Sequence, residues 1–284
     1  MSSNAGNRAA PRPNCGTRRE RSNWLLPVVN MLFSQNKNAN IVTENILVIV
    51  EMDGELAIIT IDRPQARNAI APETMDQLDE ALDSVRGARA LVITGAGDRA
   101  FVSGGDLKEL AKLRTLEQAA DMARRMRSIC DRIAQFPGPV IAALNGHALG
   151  GGAEVAVAAD IRIAAHDIKI GFNQVSLGIM PAWGGAERLS ALVGRGRALM
   201  LAGSGTIMGA ADAESLGLVD RVLPRESFDE GWRSLAKSLA NAPAESIKRV
   251  ISGVAPPEAI DAFARLWITD EHWAAADRVM NRNK

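Results

Sequence analysis

Cysteine, histidine and net charge are all scarce in this sequence. Its 284 residues include two cysteines and three histidines, and 33 basic residues balance 33 acidic ones. Cys15 and Cys130 are too few for a disulfide framework, and Cys130 falls inside an apparent helix, so a reducing, cytoplasmic compartment is the natural reading. His147, His166 and His272 show no metal-ligand spacing, and no metal is expected. Balanced charge gives no general attraction to nucleic acid or to an anionic membrane. No apolar run reaches the ~20 residues needed to cross a bilayer; the nearest, 24–33, is interrupted by Pro27 and Asn30. With 47% hydrophobic residues, the chain nevertheless has enough apolar material for a large core.

The first 42 residues differ from the rest. Arg8, Arg12, Arg18, Arg19 and Arg21 face a single early acid, Glu20, among Asn, Ser and Pro, a composition that predicts disorder. The segment has the arginine-rich, acid-poor character of a targeting peptide, and an ordinary tail is the default. Its arginine-rich part, residues 1–22, lacks interleaved aromatics, which argues against single-stranded nucleic-acid binding.

Beyond it, strands and helices alternate. Asp53-Gly54 between apolar runs predicts an antiparallel hairpin of 45–50 with 56–61. Helices are predicted over 72–84 and 116–136, with strands at 90–94, 139–144, 161–164 and 168–172. From residue 187 helices dominate: 187–193, 196–202, 210–215, 227–241, 244–252 and one long helix over 257–280. The expected divisions are 1–42 as a basic extension, 43–226 as an α/β core and 227–284 as a helical C-terminal region.

Two glycine segments carry the chemistry. In PVIAALNGHALGGGAE a buried strand runs to Asn145-Gly146, and Gly150, Gly151 and Gly152 then open a helix with Glu154 about one turn in. Amides at a helix start are unpaired within the helix and lie at its positive end, so they stabilise an oxygen acquiring negative charge. Glu154 follows Gly151 by three residues and shares its face. A tight strand-to-helix junction with a solvated glutamate is the commoner meaning of such a triplet. A second segment, AFVSGGDL, repeats the arrangement with Gly104 and Gly105 followed by Asp106 and Leu107.

These segments, with IDRPQARNAI, LGIMPAWGGAERL and AESLGLVDRVLP in order, resemble the crotonase, or enoyl-CoA hydratase/isomerase, superfamily over residues 48–254. The resemblance implies an α/β spiral of repeated ββα units with a C-terminal helical trimerisation region, assembled as a homotrimer or dimer of trimers. Phe263, Trp267 and Trp273 are candidates for that contact, with burial inside their own subunit as the default. The implied substrate is an acyl-CoA, with coenzyme A part of the substrate and no separate cofactor. Gly105 and Gly151 would supply the oxyanion-hole amides for the thioester carbonyl, Ala66 a backbone contact to adenine, and Gly105, Asp106, Leu107 and Lys108 the path of the pantetheine arm, with Gly104, Gly150 and Trp183 as further substrate-binding residues.

The sequence departs from the family's two-glutamate pattern. Glu154 matches the first; the second falls at Gln174, which does not titrate but still donates to and accepts from water. Losing one proton-transfer group typically costs ~10²–10⁴-fold in rate. Hydration or isomerisation through Glu154 alone is the leading expectation. Alternatives are decarboxylation of a methylmalonyl- or ethylmalonyl-type CoA, with Trp183 desolvating the carboxylate, and a non-catalytic acyl-CoA-binding or assembly subunit. Arg63, Arg67 and Lys108 are candidates for the CoA phosphates, whereas Glu109 and Glu187 default to surface ion pairs.

Overall fold

The computed structural model describes residues 45–281; the basic extension and its apolar patch at 24–33 lie outside the described residues. The chain enters through a hairpin in which β1 (Val48–Asp53) pairs antiparallel with β2 (Leu56–Ile61). Gly54 takes a φ of 65° in its turn, the left-handed conformation that the Asp-Gly signal anticipates. Next comes α1 (Pro72–Ser84), with proline in its first turn and Met75, Leu78, Ala81 and Leu82 buried along one face.

Three successive strand pairs follow. They are β3 (Ala90–Gly95) with β4 (Ala100–Val102), β5 (Val140–Leu144) with β6 (His147–Leu149), and β7 (Ile161–Ala165) with β8 (Lys169–Gly171). Between the first two lie α2 (Leu107–Leu110) and α3 (Leu116–Ala134); α4 (Gly151–Ala156) precedes β7. The first member of each pair joins one sheet and the second joins another. The larger sheet has the order β1-β2-β3-β5-β7-β10, with β10 at Arg221–Leu223, and is parallel from β2 onward. The smaller has the order β4-β6-β8-β9, with β9 (Ile207–Gly209) antiparallel at its edge. Each turn of this spiral thus lays one strand on each sheet, as expected for repeated ββα units. Strands covered on both faces must be apolar throughout, and ALVITG and VIAAL are buried at every position.

Several elements correct the expectations. Residues 257–280 form two helices, α10 (Pro256–Trp267) and α11 (Asp270–Met280), because the Thr269 hydroxyl accepts from His272 N and caps a new start. Of the five three-residue strands, β8 falls within the strand expected at 168–172, while β4, β6, β9 and β10 are additions too short for a periodicity to show. The remaining helices are α5 (Gly185–Val193), α6 (Arg195–Ser204), α7 (Ala210–Ser215), α8 (Phe228–Leu239) and α9 (Ala242–Ile251). Phe263, Trp267 and Trp273 are not buried in their own subunit: they are 60%, 45% and 45% exposed. They stack on one another, with ring centroids 5.4–5.5 Å apart along the series.

Candidate active site

The site lies where the two glycine segments and the PAWGG loop meet. The first segment is held from one side by the Pro64–Ala66 turn: Ile70 N donates to Gly104 O at 2.8 Å, and Asp106 N donates to Ile70 O at 2.8 Å. Asn68, fully buried at a φ of 53°, fixes that turn. Its carboxamide accepts from Arg63 N at 2.9 Å and donates to Ala100 O at 2.7 Å. The second segment begins α4 with Gly150 at φ 56° and ψ −119°, a backbone state open mainly to glycine. A Cβ added to Gly104 would sit 3.4 Å from Gly151 N, so the two segments are in contact. Among the described residues neither Gly105 N nor Gly151 N donates a hydrogen bond.

Glu154 is buried, at 2% exposure. Its Oε2 accepts from Trp183 N at 2.7 Å and Gly185 N at 3.0 Å, and its Oε1 accepts from Gln174 Nε2 at 2.9 Å. Gly185 has to be glycine for this, since a Cβ there would run into the Glu154 side chain. Burial pushes the carboxyl above its ordinary pKa, and the amides of Gly185 and Trp183 together with Gln174 offset only part of that shift. Gln174 is 93% buried by the same measure, and its Oε1 has no partner. The carboxamide must present its nitrogen to Glu154, because the opposite orientation would set oxygen against oxygen. The other end of that carboxamide, Gln174 Oε1, is therefore left as a buried acceptor without a partner.

Trp183 is also buried, and its six-membered ring lies against Gly151 and Gly105. Measured from a Cβ placed on Gly105, ring atoms Cζ2 and Cη2 lie at 3.8 and 3.9 Å. The indole thus packs against both glycine segments.

The other sequence candidates fall around this centre. Arg63 is turned inward: its guanidinium donates to Ala69 O and pairs with Asp106 at 2.9 Å, which overturns its reading as a phosphate partner. Asp106 caps α2, accepting from Lys108 N and Glu109 N. Burial raises its pKa, but Arg63 and those amides outweigh burial and leave it below the ordinary carboxylate value. Leu107 and Lys108 are exposed, as is Arg67, while both backbone groups of Ala66 serve its own turn. Glu109 pairs with Lys112 and Glu187 with Arg127, the surface default expected for them. His147 and His166 accept from the backbone N–H groups of Lys169 and Arg225. The amides of Trp183 and Gly185 went unread because backbone donors leave no side-chain signature.

A family model for enoyl-CoA hydratase/isomerase matches residues 51–258. The short-chain-enoyl-CoA hydratase of Clostridium acetobutylicum is 38% identical over 200 residues, covering 69% of this chain and 76% of that protein. Among solved structures, the enoyl-CoA hydratase of Bacillus anthracis superposes with a TM-score of 0.77 at 30% identity, covering 83% of this chain and 96% of that one. The enoyl-CoA hydratase from Thermoplasma volcanium does so with a TM-score of 0.74 at 34% identity, covering 84% and 99%. Fold and site together define an enzyme of the crotonase class. The chain belongs to the enoyl-CoA hydratase/isomerase family.

Proposed function

We propose that this enzyme adds water across the double bond of an enoyl-CoA, using Glu154 as its one titratable group and Gln174 as an orienting group. The observation that carries this reading is the buried, unpartnered Gln174 Oε1, on the carboxamide whose nitrogen donates to Glu154 Oε1. An orphaned buried acceptor costs ~1–3 kcal/mol unless a donor fills it. One water donating a hydrogen to each of these oxygens satisfies both and turns its own lone pair toward the substrate.

In the reaction so drawn, the water oxygen bonds to the β-carbon and Glu154 takes its proton. The electron pair of the double bond moves onto the thioester oxygen, which Gly105 N–H and Gly151 N–H receive as an oxyanion. Glu154 returns the proton to the α-carbon. Trp183 walls the acyl group, Gly104 and Gly150 let the chain approach closely, and Ala66, Asp106, Leu107 and Lys108 border the coenzyme A moiety. Coenzyme A is part of the substrate and no further cofactor takes part. The names of the relatives and the free amides support this reading. Malonyl-type decarboxylation fits less well, since it would bring a substrate carboxylate toward a buried carboxyl group already at this site.

The test is turnover of crotonyl-CoA, followed by loss of the conjugated thioester absorbance, beside ethylmalonyl-CoA followed by carbon dioxide release. Hydration without decarboxylation is expected. Carbon dioxide release without hydration would replace the reading with the decarboxylase, and binding without either reaction would replace it with a non-catalytic subunit. We further read the enzyme as cytoplasmic and as a homotrimer or dimer of trimers, the assembly resting on the exposed aromatic series of α10 and α11.

A further inference from the structure

The PAWGG loop supplies two of the three hydrogen bonds that orient Glu154, yet it contains adjacent glycines, with Gly184 at a φ of 87°. Such a segment has little conformational preference of its own. Something outside it must hold the Trp183 and Gly185 amides on the carboxylate. One side chain does so. Arg188, in the first turn of α5, reaches back to donate from Nη1 to Trp183 O at 3.2 Å. Its other terminal nitrogen, Nη2, pairs with Asp131 on α3. The side chain is 19% exposed, and the planar fork of its guanidinium is occupied on both arms. Arg188 therefore grips the peptide lying between the two amides that grip Glu154, and Asp131 fixes the grip to the longest helix among the described residues.

We propose that Arg188, anchored by Asp131, is a positioning residue for proton transfer, acting on Glu154 through the Trp183–Gly185 backbone. This deepens the hydration reading and rests on it. The contacts run from Asp131 to Arg188, to Trp183 O, through the Trp183 and Gly185 amides to Glu154, and on to Gln174. Arg188 does not touch the reacting atoms. Its effect is on the placement of a carboxyl group whose misplacement by ~1 Å is sufficient to cost on the order of 10²-fold in rate.

The charged and titratable groups around this path are Arg127, Cys130 and Asp131 on α3 and Glu187 and Arg188 on α5. Arg127 pairs with Glu187 and lies 3.8 Å from Asp131. Burial pushes the Cys130 thiol up to about 12, so it stays neutral across the working range. Glu154, which these groups surround, is the group whose ionisation limits the reaction at low pH. Without the brace its backbone donors loosen, the ionised form loses stabilisation, and the acid limb of the kcat profile moves to higher pH.

The test compares wild type with Arg188→Ala, Arg188→Lys, Glu154→Gln and the double variant Arg188→Ala/Glu154→Gln in crotonyl-CoA hydration. Thermal unfolding serves as a fold control. Arg188→Ala is expected to lower kcat ~10–100-fold with KM changed by less than about threefold, and to shift the acid limb upward. Arg188→Lys restores the charge but not the fork, and is expected to recover only part of the rate. The double variant is expected to be no slower than Glu154→Gln alone, because both changes remove the same function. A full kcat in folded Arg188→Ala overturns the proposal, as does an unmoved acid limb or a double variant whose losses multiply. Full activity in Glu154→Gln overturns the reading of Glu154 itself, and the brace with it.

Discussion

The spiral of β1 to β10 and the pair α10–α11 bury their apolar residues in opposite ways. In the spiral, β3, β4 and β5 are buried at every position, and even the polar residues inside, such as Asn68 and Arg162, have their bonds made within the chain. In α10 and α11 no residue is buried, although Ile260, Phe263, Trp267, Ile268 and Trp273 are large and apolar. The first region closes its own core; the second carries the apolar load of a core without the cover. A connected exposed apolar surface of this kind marks an interaction face, whereas the residues of the proposed chemistry all lie in the spiral. The proposed catalysis and the proposed assembly can therefore be tested by separate mutations.

The largest effect is expected inside the spiral. Glu154→Gln keeps an acceptor for the Trp183 and Gly185 amides but removes the proton carrier. It should lower kcat for crotonyl-CoA hydration ~10²–10⁴-fold and leave the sedimentation behaviour unchanged. An altered oligomer in this variant would break the separation.

The converse change is Phe263→Glu together with Trp267→Glu on α10. Two charges on the stacked aromatic face should disperse the assembly, so that a wild type sedimenting as a trimer or hexamer gives way to a smaller species. The spiral should remain folded by circular dichroism. A wild type that already sediments as a single chain would show that these aromatics have another partner.

Gln174→Glu sharpens the comparison within the site. It restores a second carboxyl beside Glu154 and should raise crotonyl-CoA hydration ~10-fold or more where proton transfer limits the rate. Because two like charges cannot share a buried site, the pair should titrate together, with one proton held to higher pH. A folded variant with no gain in rate would show that the glutamine already does all that position requires.

What was legible in the sequence follows the range of the interaction. The Asp53-Gly54 hairpin and the Pro72–Ser84 helix are set by residues a few places apart, and both were readable. Of the smaller sheet only β8 was, within 168–172; the other three-residue strands carry no period, and the pairing depends on the spiral itself. Glu154 and the glycines stood out by residue type. Their arrangement did not: the carboxylate is held by amides about thirty residues onward, and Arg63 turns inward to an aspartate on the next glycine segment. An arginine near a turn reads equally well as a phosphate ligand or as a buried brace, and only the tertiary partner decides. Thr269 is the opposite case. Its capping role is local, and Thr269-Asp270-Glu271 is a helix-start signal inside the single helix expected over 257–280.

The smallest expected effect concerns the joint between the two regions. Lys248 on α9 reaches the end of the central strands, donating to Asp160 at 2.7 Å and to Gly138 O at 3.0 Å. Its side chain is 11% exposed against 34% for Asp160, so solvent screens the pair in part. Lys248→Met keeps the aliphatic stem and removes the charge, and should cost about 1 kcal/mol, read as a fall in melting temperature of roughly 2–4 °C. If α9 to α11 are held mainly by a neighbouring copy, the fall should be smaller in the assembled protein than in the Phe263→Glu/Trp267→Glu background. An equal fall in both would mean that this lysine, and not the assembly, anchors the helices to the spiral.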